Sequence, residues 1–440
     1  MSIFGAMSSA ISGLTSQSDA FGNISDNVDN SQTVGFKRVD TSFVDYLTTS
    51  TATQNEPGAV VAQPDYVNNV QGAITQTDSP LNLAIAGQGF FAVSQQTGQI
   101  GGQPTFNPQQ YYTRAGDFSL NAQGYLVNSA GQYLNGWQVD PVTGDINQNL
   151  LAPIQVTQTA LNPVATSDVT LSANLPATPS AGTGTLASPI SSNITVYDAL
   201  GTAHSVTLNW SQNASDDWTV TVNAPDAQTP AVGTADVQFG PLASGNPVAS
   251  GTIGQISQTT GTITAPGYVT GTTATMAMVL DIGEGPQTFN LNLGNYGGAS
   301  GLTQYAGTTY DLQGISQNGV PPGSYSGVTT QSNGDVVVNY NNGQTTTIAQ
   351  VPLVTFNSPD SLQGQNGQSY TATTASGNPL ADAANSNGAG SLVVSSVEGS
   401  NVDIATEFSQ LIVAQQAYSA NAKVITTAND LLEATLNMKQ

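Results

Sequence analysis

The two ends of this chain carry matching apolar stripes, and this constrains the fold more than any other feature of the sequence. Positions 4, 7, 11, 14, 18, 21, 25 and 28 step alternately by three and four. They read Phe4, Met7, Ile11, Leu14, Ser18, Phe21, Ser25 and Val28. The register Met7, Leu14, Phe21, Val28 is apolar throughout, a coiled-coil-like stripe with polar gaps at Ser18 and Ser25. At the other end Ile404, Phe408, Leu411, Tyr418, Ile425, Leu432 and Leu436 fall on one helical face. Leu411, Tyr418, Ile425 and Leu432 are spaced by seven, with small or polar Gln415, Ala422 and Asn429 between them. Ser400 with Asp403 three residues on reads as a variant capping box that opens this helix. Each stripe is only half-covered. Two such stripes at opposite termini pair with each other, so the ends of the chain meet in one helical domain and leave surface for further partners.

The middle has a different period. In SNITVYDALGTAHSVTLNW (192–210), Ile194 and Val196 alternate, the chain turns at Gly201, and Val206, Leu208 and Trp210 alternate again. That is a hairpin pattern. WTVTV (218–222) alternates likewise, and GDVVVNYNNGQTTTIA (334–349) turns at Asn342-Gly343, a strong hairpin signal. The 46 glycines and 22 prolines punctuate short strands throughout. The fold expected is mainly β with α-helical termini, the middle forming two all-β, sandwich-like or barrel-like domains inserted one within the other. The expected boundaries are a helix over 1–30 pairing with 400–440 and a linker over 31–70. An inner β domain takes 71–165 plus 346–395, and an outer inserted β domain takes 166–345. The Ser/Thr/Gly/Pro-rich stretches at 176–189 and around 225–275 read as long surface loops, and 371–391 as a connector.

Composition narrows the function. Only 8% of the 440 residues are charged, 28 acidic against 5 basic, for a formal net charge of -23. Nucleic-acid binding needs several cations on phosphates, and anionic membranes repel such a chain. With no cysteine there is no disulfide, thiolate nucleophile or cysteine-based metal site. No run of about 20 apolar residues spans a bilayer. MSIFGAMSSAISGL lacks the positive and apolar regions of a cleaved secretory signal.

Little is left for an active site. His204 is the one histidine, expected at a solvated hairpin turn, and a nucleophilic triad has no other imidazole. The carboxylates of Asp216 and Asp217 are adjacent, so in a strand they point to opposite faces. Gly87-Gln88-Gly89 and Gly283-Glu284-Gly285 are too short for phosphate loops and read as tight turns. GDINQN (144–149) lacks the spacing of a calcium loop. The triplets at Asn193 and Asn213 match a glycosylation acceptor and are common by chance. No enzyme, cofactor or metal site is expected.

Several stretches together resemble the flagellar rod/hook axial proteins, hook proteins in particular. The N-terminal helix followed by NISDNVDNSQTVGFKR is similar to their shared signature, an Asn-rich helix exit with a Gly-Phe-Lys/Arg close. Its positions here are Asn23, Asn27, Asn30, Gly35, Phe36 and Lys37. LNLAIAGQGFFAV (81–93), YYTRAGDFSLNAQGYLVNSAGQYLNGW (111–137), VPLVTFNSPDSLQ (351–363) and GSNVDIATEFSQLIVAQQAYSANAKVITTANDLL (399–432) resemble later elements in the expected order. The match covers about the first 165 and last 90 residues, with a weaker one at NITVYDALGTAHSVTLNW. Asp26 and Asp29 stand where the family more often has Asn and Ala. An anion near a helix C-terminus is disfavoured by up to about 1 kcal/mol, which leaves open where the first helix ends.

The resemblance implies a hollow, flexible helical homopolymer that joins rod to filament as a universal joint. Its terminal helices form the inner layer and its β domains project outward. It implies an extracellular location in the flagellum, export by the flagellar type III apparatus without a cleaved signal, and partners in the rod, the hook–filament junction, the hook cap and the export apparatus. The subunit interface is then expected on the two stripes, Phe4, Met7, Ile11, Leu14, Phe21 and Val28 with Ile404, Phe408, Leu411, Tyr418, Ile425, Leu432 and Leu436. The alternatives are a distal rod protein, an extracellular β-rich adhesin and, more distantly, a glycoside-active enzyme.

Overall fold

The computed structural model describes residues 3–50, 55–140, 143–177, 189–242, 245, 247–269, 271–307 and 309–437. The chain divides into two compact units. A terminal unit is built from Met1–Gln158, Ser326–Asn339 and Thr345–Gln440, and an inserted unit from Thr159–Tyr325 and Tyr340–Gln344.

The terminal unit holds both long helices, α1 (Ile3–Asp29) and α2 (Ile404–Asn437), packed on each other. Helix α1 runs through Asp26 to Asp29, so the two acids do not shorten it. The Asn30 side-chain amide donates to the Asp26 carbonyl and carboxylate, 2.9 Å each, and closes the helix end. Helix α2 starts three residues later than the capping box places it. Asp403 is the cap, its Oδ1 accepting from the Ala405 and Thr406 amides at 2.9 and 3.2 Å. Ser400 Oγ instead accepts from Val402 N. A carboxylate at that end also suits the helix dipole.

Where a linker is expected over 31–70, the chain forms an antiparallel hairpin, β1 (Val39–Ser50) with β2 (Asn55–Tyr66), laid against α1. Its sequence alternates poorly because Asp, Thr and Gln occupy much of both faces. The hairpin binds by polar contacts to α1, a signal that hydrophobic period cannot report.

The β body of the terminal unit centres on strand Phe90–Ile100, which pairs with Tyr111–Thr113, Gln132–Val139 and Leu353–Thr355. Phe90, Ala92, Tyr112, Val354, Leu362 and Tyr370 pack there, with Phe90 edge-on to Tyr370 at 5.8 Å. Early and late segments interlock: Leu83–Ala86 pairs with Ser391–Val394, and Ile74–Gln76 with Ser396–Glu398. Leu380–Asp382 pairs with Leu353–Thr355, so 371–391 is part of the sheet and not a simple connector.

The inserted unit is a sandwich. Strands Ile190–Tyr197, Ala203–Ala214, Asp217–Asn223, Ala231–Phe239 and Ile253–Ser257 form one antiparallel sheet in chain order. The hairpin expected at 192–210 is present, with Ile194 opposite Val206. The second sheet contains Asp168–Asn174, Thr273–Asp281, Pro286–Asn295, Leu302–Thr303 and Asp311–Gln317. One core takes side chains from both, Trp210, Trp218 and Val220 from the first, Leu171, Met276 and Leu291 from the second. The alternation that buries every second residue sets this packing. Two strands fall within 225–275, expected as loops: Val232, Ala235, Val237 and Phe239 alternate inward behind a Ser/Thr/Gly-rich surface. Of 176–189, residues 178–188 lie outside the described residues. His204 is not solvated: its ring sits between the Asp198 and Asp226 carboxylates, at 3.3 and 3.6 Å.

Candidate assembly site

The terminal helices meet along a seam of small side chains. Ala10, Ala20 and Ile24 of α1 and Ala414 and Ala428 of α2 are buried. A Cβ on Gly13 would stand 2.7 Å from Asn421 Nδ2, so the Asn421 side chain packs directly on the α1 backbone there. Phe21 meets Tyr418 edge-on at 6.2 Å, the one ring pair that links the two helices among the described residues.

The stripe residues divide. Met7, Leu14, Phe21, Val28, Leu411, Ile425 and Leu432 are half-buried, whereas Phe4, Ile11, Ile404, Phe408 and Tyr418 are exposed, Phe4 at 72%. The Leu436 side chain lies outside the described residues. Helix α2 carries further apolar residues that α1 does not cover: Ile412, Val413, Val424 and Leu431 are all exposed, Val413 at 66%. At about 100° per residue, Val413, Ala420, Val424 and Leu431 form a line of their own, about a quarter-turn from the buried Ala414. A helix apolar on several faces is one meant to be covered on several faces.

The hairpin is held to α1 by a polar ladder. Val60 N donates to Ser12 Oγ at 3.2 Å and Ser16 Oγ donates to Val60 O at 2.8 Å. Asn23 Nδ2 donates to Thr41 Oγ1. Asn27 makes a closed pair with Val39, accepting from its N–H at 2.9 Å and donating to its carbonyl at 3.0 Å. The same Asn27 amide donates to buried Glu407 of α2 at 3.2 Å, so one side chain binds both helices and the hairpin. Burial pushes the Glu407 carboxyl above its usual range, with Asn27 opposing.

Below the helices the chain is clasped by a buried ion triad. Lys37 Nζ lies 2.5 Å from Glu398 Oε1 and Arg114 Nη1 3.0 Å from Oε2, and the Glu398 side chain is 0% exposed. Further hydrogen bonds surround the triad, with Arg114 Nε left without a partner. Lys37 also donates to Val70 O at 2.7 Å, Gly72 N donates to Glu398 Oε1, and Arg114 Nη2 donates to Gly87 O. The Arg114 guanidinium rests over the Phe90 ring at 5.2 Å. Burial lowers the Lys37 amine, the Arg114 charge adding to it and Glu398 working against it. Gly35 sits at φ +71°, and a Cβ there would collide with the Ala115 backbone nitrogen; its own N–H donates to Glu398 O at 2.8 Å. Asn401 finishes the clasp, accepting from Arg38 N at 2.7 Å and donating to Val67 and Val70 carbonyls at 3.1 Å.

Of the expected helix-exit signature, Asn23 and Asn27 lie within α1 in the ladder to the hairpin, and Asn30, Gly35, Phe36 and Lys37 follow it into this region. Asn30 caps α1, Phe36 is half-buried with its carbonyl accepting from Asn401 N, and Lys37 is buried in the triad. Lys37 and Arg38 meet carboxylates of their own chain, Glu398 and Asp40. Sequence reasoning missed Glu398, Arg114, Asn401 and Glu407. The available signal was scarcity, because three of only five basic residues gather here.

Three family models match in order: the flagellar hook protein FlgE/F/G D1 domain over 84–174, the flagellar basal body protein FlaE D2 domain over 171–320, and the flagellar basal body rod FlgEFG protein C-terminal region over 394–438. The flagellar hook protein FlgE of Brucella abortus is 32% identical over 445 residues, covering 100% of both chains. That of Salmonella typhimurium is 29% identical over 448 residues, covering 99% of this chain and 100% of the other. The crystal structure of Helicobacter pylori flagellar hook protein FlgE2 aligns with a TM-score of 0.49 at 14% identity, over 72% of this chain and 98% of that one.

Proposed function

The chain belongs to the flagellar hook protein family, and from that membership we propose how it does a hook subunit's work. It is a structural protein of the bacterial flagellar hook, outside the cell, and it assembles with copies of itself. The polymer is a hollow, flexible helical tube that couples rod to filament as a universal joint. Its inner layer is the α1–α2 pair and its outer layer the β units. The observation that carries this reading is the apolar surface left on both helices after they have paired.

The half-buried stripe residues serve mainly the seam within one subunit. The contacts between subunits fall on Phe4, Ile11, Ile404, Phe408 and Tyr418 from the expected set, and on Ile412, Val413, Val424 and Leu431 beside them. At roughly 25 cal/mol per Å² of apolar area, modest contacts repeated along a lattice hold a polymer together. A contact that does not close on itself propagates as a filament. The Ser12–Ser16–Asn23–Asn27 ladder and the ion triad then hold the hairpin and β body at a set angle to the helices. Further partners on this reading are the rod, the hook–filament junction, the hook cap and the export apparatus, which passes the chain without a cleaved signal. An adhesin or a rod protein accounts less well for full-length hook similarity joined to a large inserted sandwich.

Electron microscopy of the purified chain tests this. Curved hollow tubes are expected. Persistent monomers under all conditions, or motile cells that still carry hooks after deletion of the coding sequence, would overturn it.

A further inference from the structure

Six Asn-Gly pairs occur in the chain, at Asn135, Asn318, Asn333, Asn342, Asn366 and Asn387. Asparagine is a thermolabile residue. Before glycine it is open to attack by its own backbone, because the glycine nitrogen has no Cβ to shield it and turns freely. That nitrogen reaches the side-chain carbonyl carbon wherever both groups are free to approach. The six pairs share this chemistry, and the fold separates them.

Five of the six are held. Asn135 is 1% exposed in the strand Gln132–Val139, and its Oδ1 accepts from Ser94 Oγ at 3.0 Å. Asn318 Oδ1 accepts from the Ser167 and Asp168 amides at 2.9 and 3.0 Å. Asn333 Nδ2 donates to Asp335 Oδ2 at 2.7 Å, and Gly334 N donates to Gln331 O at 3.0 Å. Asn342 Nδ2 donates to Pro321 O at 2.9 Å, and Gly343 N donates to Tyr340 O at 3.1 Å. Asn387 Nδ2 donates to Asp382 Oδ1 at 2.7 Å. Each of these bonds fixes the side-chain amide or occupies the attacking N–H. Asn366 differs. It is exposed in the turn of the hairpin that pairs Gln363–Gln365 with Ser369–Thr371. Among the described residues neither its side-chain amide nor the Gly367 N–H has a hydrogen-bond partner; only its backbone carbonyl is engaged, by Ser369 Oγ at 3.0 Å.

We propose that Asn366 is the site at which the folded chain deamidates. The Gly367 nitrogen gives its proton to water and bonds to Asn366 Cγ. The Cγ–Nδ2 bond breaks, Nδ2 leaves as ammonia, and a cyclic imide remains. Water then opens the imide on one side of its nitrogen or the other, leaving aspartate or isoaspartate at 366. In sum one amide and one water become a carboxylate and an ammonium ion, with no oxidant and no second protein.

The product carries a charge where the intact chain has none. Asn366 and Asp26 line one cavity of about 320 Å³. Lys37 lines it too, but its Nζ is committed to Glu398. A carboxylate at 366 therefore adds to the Asp26 charge at the C-terminal end of α1, where the helix dipole already disfavours anions. Isoaspartate also lengthens the backbone of a turn that the β body holds by two bonds: Gly367 O accepts from Gln132 Nε2 at 3.1 Å, and Gln368 O from Thr113 Oγ1 at 2.7 Å. The inference goes beyond the hook-subunit reading and does not depend on it. In a polymer whose subunits stay in place, the mark accumulates with age.

The test is peptide mapping by mass spectrometry of the full chain, folded and in urea, during incubation at mildly alkaline pH. In the folded chain Asn366 is expected to convert at least about fivefold faster than any other Asn-Gly pair, because it alone is free to reach the attacking geometry. In urea the six rates should draw together. Asn366→Gln should remove the fast conversion and leave the melting temperature unchanged, since the side chain is exposed and unbonded. The singly modified chain, separated by anion exchange, should melt below the intact one. If another pair leads in the folded chain, or Asn366 leads by the same margin in urea, the inference is overturned. Equal melting of modified and intact chains would overturn its structural consequence.

Discussion

Lys37 and Glu398 are 361 residues apart in sequence and 2.5 Å apart in space, and neither side chain is exposed to solvent. Glu398 also holds Arg114. One carboxylate therefore fixes the exit of the first helix, the approach to the last, and the β body between them.

That asymmetry sets an order of damage. Glu398→Gln leaves two buried cations without their anion, and a broken buried pair costs about 3–5 kcal/mol. Lys37→Met leaves Glu398 still paired with Arg114 and should cost clearly less. Urea unfolding followed on the terminal unit checks the ranking, and a larger loss for Lys37→Met would refute this account of the triad.

Glu407 gives a pH dependence of known sign. Its folded pKa is raised, first by burial and then by Asp40 and Asp403, against Asn27 and Arg38. The native state thus binds this proton more tightly than the unfolded chain. From this group, stability increases as pH falls from above the raised value to about 4.5, and decreases as pH rises through it. Glu407→Gln should stabilise the monomer at neutral pH and flatten this part of the profile. Melting temperature against pH for both proteins is the measurement; parallel curves would count against it.

Gly35→Ala is expected to cost at least about 2 kcal/mol, since the left-handed backbone strains any side chain and the new Cβ meets the Ala115 nitrogen. Thermal unfolding reads this directly. A near-neutral result would mean the Gly35–Ala115 approach relaxes freely.

Phe4→Ala with Ile11→Ala separates fold from assembly. Both side chains are exposed, so the monomer should change by no more than about 0.5 kcal/mol. Sedimentation should show far less polymer. Equal polymer yield would remove these two residues from the subunit interface.

The helices and the sandwich were legible because each repeats a short period over many residues. Ile194, Val196, Val206 and Leu208 announce a hairpin, and Leu411, Tyr418, Ile425 and Leu432 a helical face. The stripe did not reveal how its faces are shared out. Pairing is decided by the close approach at Gly13, Ala10 and Ala414, which leaves larger residues such as Phe4 and Val413 outside. The hairpin at 39–66 was hidden because its binding to α1 runs through Ser12, Ser16, Asn23 and Asn27, whose hydroxyls and amides look like gaps in an apolar pattern. Glu398 was invisible for a different reason: its partners come from distant segments, and no local spacing encodes them.

The distance along the chain between paired segments also orders events in time. The inserted sandwich closes its contacts within Thr159–Tyr325 and a short return segment. The seam of α1 with α2, and Lys37 with Glu398, must await residues made almost last. Loop closure over such lengths is slow compared with local pairing. The first helix therefore has no mate until synthesis is nearly complete. A chain cut short before Glu398 lacks both its clasp and its second helix, so the fold carries its own check that a subunit is whole before it is built in.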